Sequence, residues 1–260
     1  MQKILCPVDF SETSKNALHY ALGLAKVWGT KVDLIHVYHL ESRDAASVPY
    51  HEVDALLEAR KQKVDQAFVA FTADVDKQFL GHFFKAYGIF TGLEISDVTR
   101  DGDYALVVMG TKGDRNSFEQ LLGSVTTDLM TRSHCPVMAI PAGTTFEPVH
   151  TVAYAVDADA FDPERGTTTP LGGLLSFTAH TGAKLHVVHV AADYPLQAAT
   201  YAVIHDDSVM EGLEAYIQLH AIQVLAMYVP KRRLWERLFH KSRTRAMVFH
   251  TSIPLLVFHG

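Results

Sequence analysis

The chain has 260 residues, 48% of them hydrophobic, which suits one large domain or two smaller ones, each with its own buried core. Its formal charge is −6, too mild to mark nucleic acid or a membrane as the general partner. Cys6 and Cys135 are the only cysteines, no basic stretch leads into an apolar one at the start, and no apolar run approaches the roughly 18 residues that span a bilayer. A reduced, cytoplasmic protein with free thiols is the expectation.

Taken in chain order, residues 3–8 form a short apolar run and Ser11 is placed to cap a helix over 12–28, which Gly29 ends. A β-rich run, 31–38, completes a strand–helix–strand unit. A charged helical segment, 52–76, follows, with Val53, Leu56, Leu57, Val64, Phe68 and Phe71 available for an apolar stripe. Then come a weak strand near 83–87, a short helix near 92–99 and a clear strand over 104–109. Asp101 and Asp103 read as turn residues ahead of that strand. After a glycine stretch, a helix over 124–132 leads to a last strand over 137–140.

The pattern then repeats. "KILCPVDFS" from Lys3 is echoed by "TVAYAVDAD" from Thr151, which aligns Asp9 with Asp157. "GTKVDLIHV" matches "GAKLHVVHV", "ALVVMG" lies over "QVLAMY", and "CPVMAIP" lies over "IPLLVFH". The same units in the same order argue for duplication, with a Pro- and Gly-bearing linker at 141–150. The expected domains are residues 1–142 and 150–260. Alternating strands and helices with near-continuous apolar strands predict an α/β class, doubly wound and Rossmann-like, with mainly parallel five-stranded sheets present in tandem. The short apolar last strands, 137–140 and 255–258, would be edges unless they pair with each other.

In such a sheet a ligand sits beyond the carboxyl ends of the strands, where the strand order reverses. Pro7, Val8 and Asp9 close one central strand, and Gly110, Thr111 and Gly113 follow another. Glycine there permits positive φ and a close approach of backbone to a bulky ligand. Gly123 precedes a helix whose first amides, at Ser124, Val125 and Thr126, lack helical acceptors and can hold phosphate oxygens. Hydroxyls at Ser124 and Thr126 add donors, and residues 114–122 would form a flap, with Asn116 and Ser117 polar and Phe118, Leu121 and Leu122 able to pin it. The Gly-x4-Gly-Lys-Ser/Thr spacing of a P-loop occurs nowhere in the chain.

The spacing Gly110-x2-Gly113-x9-Gly123-Ser124, preceded by "VVMG" and followed by "CPVMAIP", with "ILCPVDFS" and "LIHV" upstream, resembles the universal stress protein family, and more narrowly its tandem members. The likeness is good at the ends of the first half and loose between 42 and 100. It implies a fold like that of the adenine nucleotide alpha hydrolases and ATP, or another adenine nucleotide, with magnesium, in the first domain. Pro7, Val8, Asp9 and Val37 would surround adenine and ribose, Met109 and Gly110 the ribose side, and Gly113, Gly123, Ser124, Val125 and Thr126 the phosphates. Asp9 has a plainer alternative, as a cap for the helix behind it. The family pairs its last strand across a two-fold axis, which here implies an intrachain pseudo-dimer, with a homodimer as a further option.

In the second copy Tyr228, Lys231 and Lys241 stand where Gly110, Gly113 and Gly123 would be, while Ser242 and Thr244 survive. Side chains at those positions should block the phosphate pose. The replacement is basic: Lys231, Arg232, Arg233, Arg237, Lys241, Arg243 and Arg245 oppose only Glu236, with Trp235 and Phe239 as possible anchors for a partner. Nucleic acid is a weaker reading of that patch than a solvated helix turn. The pairs His36/His39 and His186/His189 point to opposite faces of their strands, so no metal site is expected. No Gly-x-Ser-x-Gly elbow and no obvious base for water attack occur, so at most slow ATP hydrolysis is expected. The sequence thus reads as a stress-response regulator whose nucleotide occupancy changes an exposed surface. The rivals are a non-catalytic scaffold working through the basic patch, a slow hydrolase, and a small-molecule enzyme using the same cleft.

Overall fold

Lys3–Pro7 forms β1, and the chain turns sharply at Phe10, whose φ of 64° is left-handed without being glycine. Glu12–Trp28 forms α1. Ser11 is its N-cap, accepting from the Ser14 amide, and Gly29 closes it at φ 64°, so both ends lie where capping chemistry puts them. Val32–Tyr38 is β2, Val53–Phe71 is α2, and a 3-10 turn at Lys77–Phe79 leads into Leu80–Tyr87, β3. Thr91–Asp101 is α3, Tyr104–Gly110 is β4, Ser124–Arg132 is α4 and Val137–Ile140 is β5. The second half supplies β6 (Thr151–Ala155), α5 (Gly172–Thr181), β7 (Lys184–Ala191), β8 (Ala202–His205), α6 (Val209–Leu219), β9 (Val224–Tyr228) and β10 (Leu255–Phe258). This computed structural model describes residues 2–39, 53–111, 124–155, 171–191, 202–205, 209–228 and 252–258.

The strands join into one sheet in the order β3-β2-β1-β4-β5-β10-β9-β6-β7-β8. Each half repeats the same winding, with the order reversing between β1 and β4 and again between β6 and β9. The two five-stranded sheets expected from the sequence are therefore halves of a ten-stranded one. Within each half the pairing is parallel; the seam is antiparallel, with Leu255, Leu256 and Val257 opposite Ala139, Met138 and Val137. The last strands are thus internal, and all four residues of each are buried.

Core packs on both faces, as near-continuous apolar strands require. One layer runs from Leu18, Leu24 and Trp28 of α1 through Val108 and Met138 to Leu174 and Phe177 of α5, so it is shared by the two halves. Complete burial of each such leucine contributes about 1.5–3 kcal/mol. Trp28 meets Phe177 edge-on at 5.8 Å and lies 5.0 Å from the His180 ring. The linker docks too: Phe146 covers Gly23 so closely that a side chain there would strike its ring, and it packs edge-on against Tyr20 at 5.2 Å. Cys6 and Cys135 are buried and free.

One local reading needed correction. The apolar stripe of α2 is only partly used: Val64 and Phe71 are buried and Phe68 stacks on Phe83 at 3.9 Å, but Val53, Leu56 and Leu57 remain partly exposed. An acid also sits inside β2. Asp33 is 0% exposed; it accepts from Lys3 Nζ at 2.9 Å, the Tyr104 hydroxyl at 3.0 Å and the His82 amide at 2.7 Å. It replaces a ladder hydrogen bond where the β2–β3 register shifts, between Val32 and Leu34. A buried carboxylate is tolerated because its oxygens are satisfied.

Candidate functional site

At the carboxyl ends of β1, β2 and β4 lies a cleft of ≈ 310 Å³. That volume is near the lower end of small-molecule sites, which run from about 300 to 1,000 Å³. Of the residues singled out from the sequence, Pro7, Val8, Asp9, Val37, Met109, Gly110, Val125 and Thr126 line it together. Thr111 does not line it; it lies just behind, 2% exposed, with its amide donating to Ile140 at 3.0 Å and its hydroxyl without a partner among the described residues. Gly113 and Gly123, the flap residues 114–122, Asp157 and the basic segment 231–245 all lie outside the described residues. Ser124 opens α4.

The turn after β1 shapes one wall. Asp9 Oδ1 accepts from the Ser11 hydroxyl at 2.5 Å and the Ser11 amide at 3.1 Å, so Asp9 supports the α1 cap through Ser11. Burial pushes its pKa up, but those hydrogen bonds outweigh it and hold the carboxyl below its ordinary value. The strained Phe10 throws its ring onto His36 at 4.5 Å and Phe71 at 5.5 Å. His36 Nδ1 lies 2.7 Å from the Val8 carbonyl, which only accepts, so that nitrogen carries the proton. Burial lowers the pKa of His36, against the Val8 bond that raises it, and the Arg60 charge lowers it further.

Gly110 lines the cleft, and the structure gives a reason for glycine there that the sequence reading did not name. Its φ is not positive, and a Cβ there would come within 2.5 Å of the Thr13 carbonyl. What approaches its backbone is the first turn of α1. Tyr228, which the repeat aligns with Gly110, is half-buried at the end of β9 with its ring 5.9 Å from Phe258.

The opposite wall is α3 against α4. Gly92 packs so tightly on Asp128 that a side chain would strike its carboxylate. Ser96 donates to the Arg132 carbonyl at 3.0 Å, and Thr99 Oγ1 accepts from the His134 amide at 3.2 Å. These contacts hold the middle and the C-terminal end of α4 against α3, and Val125 and Thr126 of its first turn line the cleft.

A sequence model of the universal stress protein family matches residues 1–141. The chain belongs to the universal stress protein family. It is 28% identical over 152 residues to universal stress protein MJ0577 of Methanocaldococcus jannaschii, an alignment covering 54% of this chain and 94% of that relative. Over its whole length it resembles a universal stress protein from Archaeoglobus fulgidus (TM-score 0.63, 20% identity, covering 98% of this chain and 95% of that one). A protein of unknown function from Pseudomonas aeruginosa PAO1 is similar at TM-score 0.60 and 14% identity, covering 100% and 92%. Both likenesses speak to the fold, and they extend it across the half that the family match leaves uncovered.

The universal stress protein cleft also holds residues that the sequence reading missed: Thr13, Ser14, Ile35, His36, Tyr38, His39, Arg60, Thr91 and Ile95. Ile35 was within reach, since it shares a strand face with Val37. Thr91 and Arg60 come from segments with little family likeness, and only tertiary packing brings them in. Among the described residues no group of three or more histidine, cysteine or acidic side chains could hold a metal, and no helix is long and apolar enough to cross a membrane.

Proposed function

We propose that the first half binds ATP or another adenine nucleotide in this cleft, and that occupancy, rather than turnover, is what the protein signals as a cytoplasmic stress-response regulator. The observation that carries this is the convergence of apolar β-strand ends, Gly110 and the start of α4 on one cavity. Ile35, Val37, Ile95 and Met109 offer apolar surface for a flat base. The first α4 amides lack helical acceptors and carry the positive end of the helix dipole, which suits phosphate. Gly113, Gly123 and Ser124 would complete that cradle, with magnesium offsetting the charge of the tail. A regulator is favoured over a hydrolase because Asp9 Oδ1 is taken up by the Ser11 hydroxyl and amide. Domain 2 would not take the nucleotide in the same manner, since Lys231 and Lys241, with Tyr228, stand where domain 1 has Gly113, Gly123 and Gly110.

The decisive experiment is to denature the purified protein, identify any released ligand by mass, and titrate ATP into wild type and Gly123→Lys, which copies the second half. Binding by wild type with loss in the variant is expected. Equal affinity in both, or no binding by wild type, overturns the proposal.

A further inference from the structure

Arg60 reaches the cleft from α2, a helix held to the sheet through its second half. Phe68 is stacked on Phe83 with the rings 8° from parallel, Asp65 pairs with Lys85 at 2.6 Å, and Phe71 is buried. Arg60 itself is exposed, yet it lines the cleft with Tyr38 and His39 at the end of β2. Arg100 pairs with Asp97 and Asp101, and Arg132 with Asp128, but Arg60 has no carboxylate partner among the described residues. Asp9, the one acid lining the cleft among the described residues, is engaged by Ser11.

The end of β2 lies two strands from β4, about 10 Å across the sheet. With phosphates at the start of α4, the base of a nucleotide therefore falls on the β2 side, beside Arg60. A guanidinium is planar, weakly hydrated and stacks on π faces, which Arg60, beside an apolar slot and with no carboxylate partner among the described residues, is suited to do. We infer that Arg60 closes over the bound base and covers its ring with the guanidinium plane. The inference rests on the nucleotide reading and adds to it a contact that senses the base and not the phosphates.

The test is calorimetric titration of ATP, adenosine and inorganic tripolyphosphate into wild type, Arg60→Ala and Arg60→Lys. Both variants should weaken ATP and adenosine by the same factor, about 2- to 30-fold, and leave tripolyphosphate unchanged, because lysine keeps the charge but not the plane. Melting temperatures should be unchanged, as Arg60 is exposed. Wild-type affinity for adenosine in Arg60→Ala overturns the inference, as does full rescue by lysine or a loss confined to phosphorylated ligands. These outcomes leave the nucleotide reading standing. If wild type binds neither ATP nor adenosine, both fall.

Discussion

The backbone of Gly110 passes under the carbonyl of Thr13 with room for a hydrogen and no more, since a Cβ would stand 2.5 Å from that oxygen. One residue thereby sets how close the first turn of α1 comes to the end of β4, and both border the cleft. Gly110→Ala should cost about 1–3 kcal/mol through overpacking against rigid backbone. Urea denaturation checks it, and ATP affinity should fall in the same variant because the cleft is re-spaced. An unchanged unfolding midpoint would show that α1 gives way freely.

Ser11 is hydrogen-bonded on both sides, giving its hydroxyl to Asp9 and accepting the Ser14 amide at 3.3 Å. Ser11→Ala should cost about 1 kcal/mol as a lost N-cap. It should also let the Asp9 pKa rise toward the ordinary carboxylate value. A depressed aspartate stabilises the fold above its unfolded pKa, near 3.9, and that contribution fades as pH falls through the folded value. The acid limb of the stability curve should therefore be flatter in Ser11→Ala, as denaturation at stepped pH will record.

His36 gives the opposite group with a related sign. Its folded pKa lies below the unfolded one, so protonation favours the unfolded chain. Its contribution is present above about pH 6.5 and declines as pH falls below that. His36→Gln should lose less stability than wild type between pH 7.5 and 5.5. A parallel decline in the two proteins would contradict this.

Asp33→Ala should cost about 2–3 kcal/mol, because the Tyr104 hydroxyl and the His82 amide lose their acceptor while Lys3 can turn to water. Asp33→Asn keeps the shape and an acceptor oxygen and should recover part of it. Paired thermal melts of the two variants decide the point.

These cases mark what could be read in advance. The ends of α1 were legible because Ser11 and Gly29 act on their own neighbours, and β5 was legible because its apolar run is short and bounded. Asp33 was not, since an acid in a strand becomes acceptable only when Lys3, Tyr104 and His82 arrive from three other strands. Half of the cleft was legible for the same reason: residues following strand ends announce themselves locally, whereas Arg60 and Thr91 are brought in by helices packed over the sheet. The reason for glycine at 110 was not legible, because it lies in α1, 97 residues earlier.

The seam between β5 and β10 changes what dilution can do to this molecule. Where separate chains meet at such a strand, the joint dissolves when they are scarce, and every copy carries the same sequence on both sides of it. Here the joint is covalently guaranteed at any concentration, and its two sides are free to diverge. The chain has Gly110 on one side and Tyr228 on the other, a difference that identical partners could never acquire.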